Sequence, residues 1–240
     1  MRILLLTAIA ALLLLGACTT TQTFLTTDEK LAKADQLYGA RKYARAAELY
    51  GEVYFERVSA SSPYALLRQA DCLFRINKFS EARIAYQEFI STYSTHQDLN
   101  TAYFRTALCL FEESLPAQYD QTETQHAIDA FKKFIEKYPN DARYSEALDY
   151  IRQAQYKLLE KKYLNGYIYY KMKDYSAALM YFTEITELGN TDSLDRQSLY
   201  YSALLLSKQN LDEQARAAYA TLLSKYPGSK ESKKLAKLFK

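Results

Sequence analysis

The sequence predicts an all-α fold: a solenoid of about five helix-turn-helix repeats, with a long helix joining repeats three and four. One spacing of small and aromatic residues recurs five times along the chain. The 240 residues include 6 Gly and 4 Pro, which leaves little material for the tight turns of a β-sheet. Hydrophobic residues make up 49% of the chain and charged residues 25%, which is typical of a globular protein rather than a disordered one.

The clearest copy of this spacing lies within residues 120–140. Ala127, Phe131 and Phe134 are four and three residues apart, which places them on one face of a helix. Tyr138 ends that helix, because it precedes Pro139 and the residue before a proline is disfavoured in helical angles. The segment is therefore expected to be the second helix of a pair.

The same spacing defines the second helix of the other four repeats. Its members are Ala46, Tyr50 and Val53; Ala82, Tyr86 and Phe89; Ala178, Phe182 and Ile185; and Ala215, Tyr219 and Leu222. Twelve residues before each leading alanine is another small residue: Ala34, Ala70, Gly166 and Ala203. With Ala107 counted for the third repeat, the step is 36 residues from Ala34 to Ala70 and 37 both from Ala70 to Ala107 and from Gly166 to Ala203. These steps are near the 34-residue period of tetratricopeptide repeats, which the pattern resembles.

The N-terminus predicts a signal peptide rather than part of the fold. Arg2 precedes a run of thirteen residues that are all apolar except Thr7, too short to span a bilayer comfortably. The run closes on Gly16-Ala17-Cys18, and small residues before a cysteine resemble a bacterial lipobox. That resemblance implies cleavage before Cys18 and acylation of this residue; the alternative is an ordinary signal peptide with an incidental cysteine.

In chain order, repeats one and two are expected at about 28–58 and 63–94, and repeat three from about residue 99. In repeat three the small residues Ala107 and Ala127 are 20 residues apart instead of 12, which predicts an insertion within residues 112–125. Such loops are often functional. Helical spacing then continues from residue 141 through Gly166 to Tyr170, which predicts one helix of about 30 residues that could kink at Asn165-Gly166. After repeat five, Ser229 is expected to cap a last, lysine-rich helix.

These elements divide the chain into four parts. Residues 1–17 are the expected lipoprotein signal peptide, and residues 18–27 are the lipidated cysteine with a threonine-rich tether. Residues 28–140 form an N-terminal block of three repeats. Residues 141–240 contain the long linking helix, a C-terminal block of two repeats and the capping helix.

The chain as a whole resembles the BamD (ComL/YfiO) family of outer membrane assembly lipoproteins, and its Bacteroidetes members most. The resemblance rests on the lipobox, five repeats and a long helix between the third and fourth. Local matches include Pro63-Tyr64-Ala65, Thr95-His96 and Tyr163-Leu164-Asn165-Gly166. Ser94 departs from the pattern, since many members have proline there.

This resemblance implies a scaffold, not an enzyme, that is lipid-anchored to the periplasmic face of the outer membrane. Its C-terminal repeats would bind the POTRA domains of a BamA-like barrel insertase. Its N-terminal repeats would bind extended segments of unfolded outer membrane proteins. The alternative is a generic cell-envelope adaptor lipoprotein that organises peptidoglycan or a secretion complex. It stays open because the residues that line a groove do not identify the ligand that binds there.

The first helices of such repeats line a concave groove, and projecting them gives candidate binding residues. The predicted N-terminal peptide-binding groove contains Tyr38, Tyr64, Asp71, Phe74, Arg75, Phe104 and Phe111. The predicted C-terminal partner-binding groove contains Tyr163, Tyr167, Tyr170 and Tyr200. Aromatic side chains beside an arginine suit an apolar segment that ends in an aromatic residue or a carboxylate. We expect Phe74, Arg75, Phe104 and Phe111 to receive it; alternatively, about half of these aromatics only pack between helices.

The sequence offers little for catalysis, for a metal or for a cofactor. The two histidines, His96 and His126, are expected to be polar residues of a turn and a helix start. Cys72 and Cys109 are expected to be buried free thiols, because equivalent helices pack about 8–10 Å apart and a disulfide needs Cα atoms within about 7 Å. The formal net charge of +3, without a basic stripe, argues against nucleic acid as a partner.

Overall fold

The computed structural model describes residues 25–56 and 60–239. The predicted signal peptide, Cys18 and the start of the tether lie outside these described residues, as do residues 57–59 at the end of repeat one, and Lys240. The described parts of the chain form eleven α-helices and contain no β-strand. None of these helices is both long enough and apolar enough to cross a membrane.

The helices follow one another in antiparallel pairs. Their bounds are α1 Thr27–Gly39, α2 Tyr43–Phe55, α3 Ser62–Arg75, α4 Phe79–Thr92, α5 Leu99–Glu113, α6 Thr122–Lys137, α7 Tyr144–Lys171, α8 Tyr175–Thr186, α9 Ser193–Lys208, α10 Asp212–Lys225 and α11 Lys230–Leu235. Each helix packs chiefly on its neighbours in the chain, as expected of a solenoid. The predicted all-α solenoid is confirmed, and so is the long helix, since α7 is continuous over 28 residues. The predicted block boundary at residue 140 falls between α6 and α7.

The turn inside four of the repeats has one geometry. A single non-glycine residue adopts a left-handed conformation in each of them, and these residues are Arg41, Asn77, Lys173 and Asn210, with φ between 57° and 65°. In the first turn the amide of Lys42 donates to the carbonyl of Leu37 (2.8 Å) and the amide of Arg41 to that of Tyr38 (2.9 Å). This pair of bonds satisfies carbonyls at the helix end, which offsets the strain of the left-handed residue.

The core of each repeat consists of a close helix crossing beside a buried aromatic ring. Ala34, Ala70, Ala107 and Ala203 are all fully buried at the crossings. In repeats one and two the ring is a tyrosine whose hydroxyl donates to an aspartate on the first helix: Tyr50 to Asp35 and Tyr86 to Asp71, both at 2.6 Å. In repeat three the equivalent residues are Phe131 and Leu108, so the hydroxyl and its acceptor are replaced together. The exchange leaves no buried polar group without a partner at this position.

The long helix α7 is fixed at its start by a buried carboxylate. Asp141 accepts hydrogen bonds from the Nε and Nη2 atoms of Arg143, both at 2.8 Å, and from the Nδ2 atom of Asn100 on α5 at 2.7 Å. The guanidinium of Arg143 lies over the ring of Phe104, 5.2 Å from its centroid. The side chain of Asp141 is 6% exposed, so this network holds α7 against repeat three away from solvent.

Cys72 and Cys109 are free and buried, as expected. Burial raises the pKa of each thiol to about 12, so both remain protonated at neutral pH. They act as small apolar residues in the core.

We predict opposite effects for alanine substitutions at two helical glycines. A Cβ atom on Gly166 would lie 3.0 Å from the Cβ of Tyr181 and 3.0 Å from the buried ring of Phe182, whereas one on Gly39 would meet no atom within 4 Å. Gly166→Ala should lower the free energy of unfolding by about 1–2 kcal/mol through overpacking. Gly39→Ala should raise it by about 0.5 kcal/mol through helix propensity. Urea denaturation measures both, and equal effects would contradict the proposed crossing.

A second prediction concerns the pH dependence of stability. Hydrogen bonds from Arg143 hold the pKa of Asp141 well below its usual range, so its stabilisation is present above the unfolded pKa of about 4 and is lost as pH falls below it. Asp141→Ala should therefore lower the free energy of unfolding by about 2 kcal/mol at pH 7 and by clearly less at pH 3. Asp129→Ala, at an exposed position of α6, is the control and should change stability by less than about 0.5 kcal/mol. An equal loss for Asp141→Ala at both pH values would be contrary to this account.

Candidate functional site

The N-terminal half of the solenoid contains a cleft that includes three of the predicted groove residues. This N-terminal cleft lies over α3, between the α1–α2 turn and α5, and has a volume of about 720 Å³. Its lining residues are Arg41, Tyr43, Asp71, Phe74, Arg75, Asn77 and Arg105. The structure therefore brings Asp71, Phe74 and Arg75 together. It adds two arginines, Arg41 and Arg105, that sequence projection missed.

The charges of the N-terminal cleft are unbalanced in favour of the cations. Its one carboxylate, Asp71, already accepts the hydroxyl of Tyr86, and Arg68 lies 4.0 Å away. Neither Arg41 nor Arg105 forms an ion pair with any described residue. The cleft therefore presents guanidinium groups that suit a carboxylate ligand.

Arg75 is held in place by aromatic neighbours rather than by an acid. Its Nε atom donates to the hydroxyl of Tyr38 at 3.3 Å, and its guanidinium lies 5.3 Å from the ring centroid of Tyr43. This hydrogen bond to Tyr38 raises the pKa of Arg75, so the guanidinium stays charged. Because the Arg75 guanidinium is not paired with any described carboxylate, it remains available to a ligand at the cleft surface.

Phe74 supplies the apolar part of the cleft. Its half-buried ring packs edge-to-face on Phe79, with centroids 5.2 Å apart, and the guanidinium of Arg105 lies 5.1 Å from its centroid. An apolar side chain that contacts Phe74 would thus lie beside Arg75 and Arg105. Of the other predicted residues, Tyr38 lies at the margin, where it contacts Arg75. Tyr64 does not line the cleft, and its hydroxyl donates to Asp35 at 2.9 Å.

The expectation that Phe104 receives a ligand is wrong. Its side chain is 3% exposed and packs edge-to-face on Phe131 and Phe134, with centroids 5.7 and 5.3 Å away. The reason is tertiary: the first half of α7 lies across α5, and Tyr150 contacts the Phe104 ring at 6.4 Å. The helix face that projects toward a groove in the other repeats is covered here.

Phe111 lies in a different cleft from Phe74. Between α5 and α6 the chain makes an eight-residue loop, residues 114–121, which we call the strap and which corresponds to the predicted insertion. Phe111, the strap and α7 enclose a second cleft, the strap cleft, of about 620 Å³. Its lining has no residue in common with that of the N-terminal cleft. The single groove expected from the sequence is thus two separate clefts.

The predicted C-terminal groove residues form a tyrosine cluster between α7, α8 and α9. Its centre is Tyr201, which sequence projection missed. The rings of Tyr170, Tyr200, Tyr167 and Tyr163 lie 5.0, 5.1, 5.8 and 6.4 Å from that of Tyr201. Burial raises the pKa of Tyr201 to about 12. Much of this aromatic surface therefore packs against itself.

Tyr200 and Tyr201 are the members of the cluster that border the C-terminal cleft. This small C-terminal cleft, of about 180 Å³, is lined by Gln197, Tyr200, Tyr201, Lys230, Glu231 and Lys234. The ammonium group of Lys234 lies 5.4 Å from the centroid of the Tyr200 ring. The predicted lysine-rich capping helix thus contributes to the wall of this cleft, and Ser229 caps it by accepting the amide of Ser232 at 3.1 Å.

The histidines have local roles. The Nδ1 atom of His96 accepts the amide of Asp98 at 3.2 Å in the turn before α5, and its ring packs on Phe89. His126 is exposed on α6, 3.6 Å from Glu123. Over residues 25–56 and 60–239, no three His, Cys, Asp or Glu side chains are grouped so that they could hold a metal ion.

Models of the tetratricopeptide repeat match residues 31–96, 101–141 and 197–229. The outer membrane protein assembly factor BamD of Rickettsia prowazekii is 27% identical over 195 residues, which cover 81% of this chain and 78% of that protein. BamD of Caulobacter vibrioides is 26% identical over 183 residues, which cover 74% of this chain and 60% of that protein.

Solved structures with a similar arrangement of helices include other repeat proteins. The TPR2AB domain of yeast Sti1 in its pHSP90 complex has a TM-score of 0.46 at 16% identity, covering 86% of this chain and 80% of that one. The Pseudomonas aeruginosa pilF protein has a TM-score of 0.38 at 15% identity, covering 89% of this chain and 82% of that one.

Proposed function

Because this chain belongs to the tetratricopeptide repeat family and is similar to BamD over most of its length, we propose that it is a scaffold for outer membrane protein assembly. The observation that carries the proposal is the similarity to BamD from two bacteria, which extends beyond any single repeat. In this role the protein binds other proteins and catalyses no reaction. It works as a periplasmic, lipid-anchored component of the β-barrel assembly machinery.

The anchor in this proposal is lipid on Cys18. The described fold begins close to that residue, because α1 starts at Thr27 and its N-cap Thr26 exchanges hydrogen bonds with Glu29. A chain of nine residues spans at most about 30 Å when extended. Lipidation at Cys18 would therefore hold the N-terminal repeats close to the inner surface of the outer membrane.

The N-terminal cleft is the proposed site for extended segments of unfolded outer membrane proteins. Phe74 offers an apolar contact, and Arg41, Arg75 and Arg105 offer charged donors on the same cleft. A segment that ends in an aromatic residue and a free carboxylate can use both features at once. Phe104 takes no part, because it is buried.

The C-terminal repeats are the proposed site for the POTRA domains of a BamA-like insertase. The tyrosine cluster packs α7 against α9, and Tyr200 and Lys234 present an aromatic and a cationic group at its surface. Tyrosine side chains are enriched in protein interfaces. The alternative function, a cell-envelope adaptor for peptidoglycan or secretion proteins, would use the same fold with other partners.

For the N-terminal cleft we predict charge-dependent peptide binding. The probe is a fluorescent ten-residue peptide with the C-terminal sequence of a barrel protein from the same organism, with a free carboxylate after a terminal phenylalanine. Arg75→Glu should raise its Kd at least about tenfold, because a like charge replaces the guanidinium. Fluorescence anisotropy with the full chain measures this change.

The matched control for that experiment is Arg45→Glu, an equal charge change on the exposed face of α2 outside the cleft. It should leave the Kd within about twofold of the wild-type value. A C-terminally amidated peptide should bind the wild-type protein more weakly than the free acid. Unchanged binding to Arg75→Glu would remove the N-terminal cleft from the proposed function.

The function itself predicts the partner. A tagged full-length protein, isolated in mild detergent from its own membranes, should co-purify with a POTRA-bearing barrel protein in roughly equal amount, as expected of a stable interface. Mass spectrometry of the isolated complex measures this. Peptidoglycan-linked or secretion proteins in place of that barrel would contradict the assembly role and favour the adaptor function.

A further inference from the structure

The strap forms one wall of a cleft that the repeats alone would not form. It is folded compactly by one side chain: the amide nitrogen of Gln121 donates to the carbonyls of Pro116 (2.9 Å), Tyr119 (3.2 Å) and Leu115 (3.3 Å). Ala117 lies at its centre and is 4% exposed. The strap is thus an ordered element and not a loose connection.

Two lysines of α7 fasten the strap to the long helix. The Nζ atom of Lys157 donates to the hydroxyl of Ser114 at 2.6 Å, and that of Lys161 donates to the carbonyl of Gln118 at 2.9 Å. One wall of the strap cleft is therefore the strap and the other is α7. The distance between the walls is set by side chains that span them.

The interior of the strap cleft is apolar, with one half-buried cation. Phe111, Pro116, Ala117 and Tyr156 form the apolar lining. The ammonium group of Lys157 lies 5.1 Å from the centroid of the Phe111 ring, and it forms no ion pair with the described carboxylates. Burial lowers the pKa of Lys157, because the charged ammonium group is poorly solvated in this position.

A second, smaller cleft continues the first along α7. It has a volume of about 440 Å³ and is lined by Arg152, Gln155, Tyr156, Leu159, Leu188 and Asn190. Tyr156 forms the ridge between the two clefts, and its hydroxyl lies 3.0 Å from that of Ser193 at the start of α9. Leu188 is 59% exposed on the far side of this ridge. The two clefts together form one surface groove with apolar walls, which Tyr156 interrupts.

The charges that line this groove favour a ligand with an acidic side chain. Arg152 borders both clefts and Lys157 lies inside the first, while Glu160 is the acidic residue of the lining. Arg152 pairs with Asp149, but both side chains are largely exposed, and exposed pairs contribute little. A ligand carboxylate would find two cations there, and one of them has no carboxylate partner.

We propose that the strap cleft and its neighbour bind an extended segment of a partner protein in which two large apolar side chains flank an acidic one. In an extended segment, alternate side chains lie on one side about 7 Å apart. One apolar side chain would contact Phe111 and Pro116, and the other would contact Leu159 and Leu188 beyond the Tyr156 ridge. The acidic side chain between them would face Arg152 and Lys157. This site is independent of the proposed function, since an adaptor could use it equally well.

The test uses two blocked peptides, acetylated and amidated so that no terminal charge takes part: GSFADALGS and its isosteric counterpart GSFANALGS. Each carries a fluorophore and is titrated with the full chain. The aspartate peptide should bind at least about fivefold more tightly than the asparagine peptide. Lys157→Met keeps the side-chain length and removes the charge, and it should reduce that difference, while Arg152 still faces the carboxylate.

Two further variants separate this site from the rest of the molecule. Tyr156→Ala removes the ridge and should raise the Kd of the aspartate peptide at least about fivefold. Lys162→Met, on the same helix but paired with Glu184 outside the clefts, should leave binding unchanged. Arg75→Glu should also leave it unchanged, which distinguishes this site from the N-terminal cleft. Circular dichroism on every variant checks that the helices are retained.

A photoreactive group in place of the peptide phenylalanine locates the complex. Cross-links are expected within residues 111–118 and 152–160. The proposal is overturned by any of three results: no saturable binding of the aspartate peptide, equal affinity for the two peptides, or cross-links confined to the N-terminal cleft.

Discussion

The structure depends on the close approach of the two helices in each repeat. The fully buried alanines at the crossings, and Gly166 in the long helix, leave room for a large aromatic ring next to each crossing. At Gly166 even one methyl group would overlap a buried ring, so the crossing has no spare volume. Since every repeat packs only on its neighbours, the local crossing angle sets the course of the whole solenoid.

The long helix α7 changes the groove surface that the repeats would otherwise form. Its first half completes the core of repeat three through Ala147, Ile151 and Ala154, and its second half contributes Tyr163 and Tyr167 to the cores of the C-terminal block. One helix therefore belongs to both blocks. Because it lies across α5, it buries Phe104 and moves Phe111 into a separate cleft. A groove that would run through an uninterrupted array is divided.

The divided groove yields two surfaces of related but distinct chemistry. The N-terminal cleft has a half-buried aromatic contact and several guanidinium groups, which suits a terminal carboxylate. The strap cleft has more apolar side chains in its lining and a single half-buried ammonium group, which suits an internal acidic side chain. We propose that each of them binds an extended segment. Because the two clefts share no lining residue, two segments could then be bound at the same time.

The sequence by itself determined the elements whose signals are local. The twelve-residue offset between small residues and the cap at Ser229 both follow from contacts between residues that are close in the chain. Only the tertiary structure decided which side chains meet across repeats. Arg41 and Arg105 are 64 positions apart yet line one cleft, Tyr201 rather than Tyr200 is the centre of the aromatic cluster, and Phe104 is covered by a helix that begins at residue 144. The spacing within a helix fixes which face a residue lies on. Whether another element covers that face depends on the packing of distant segments, which no local pattern records.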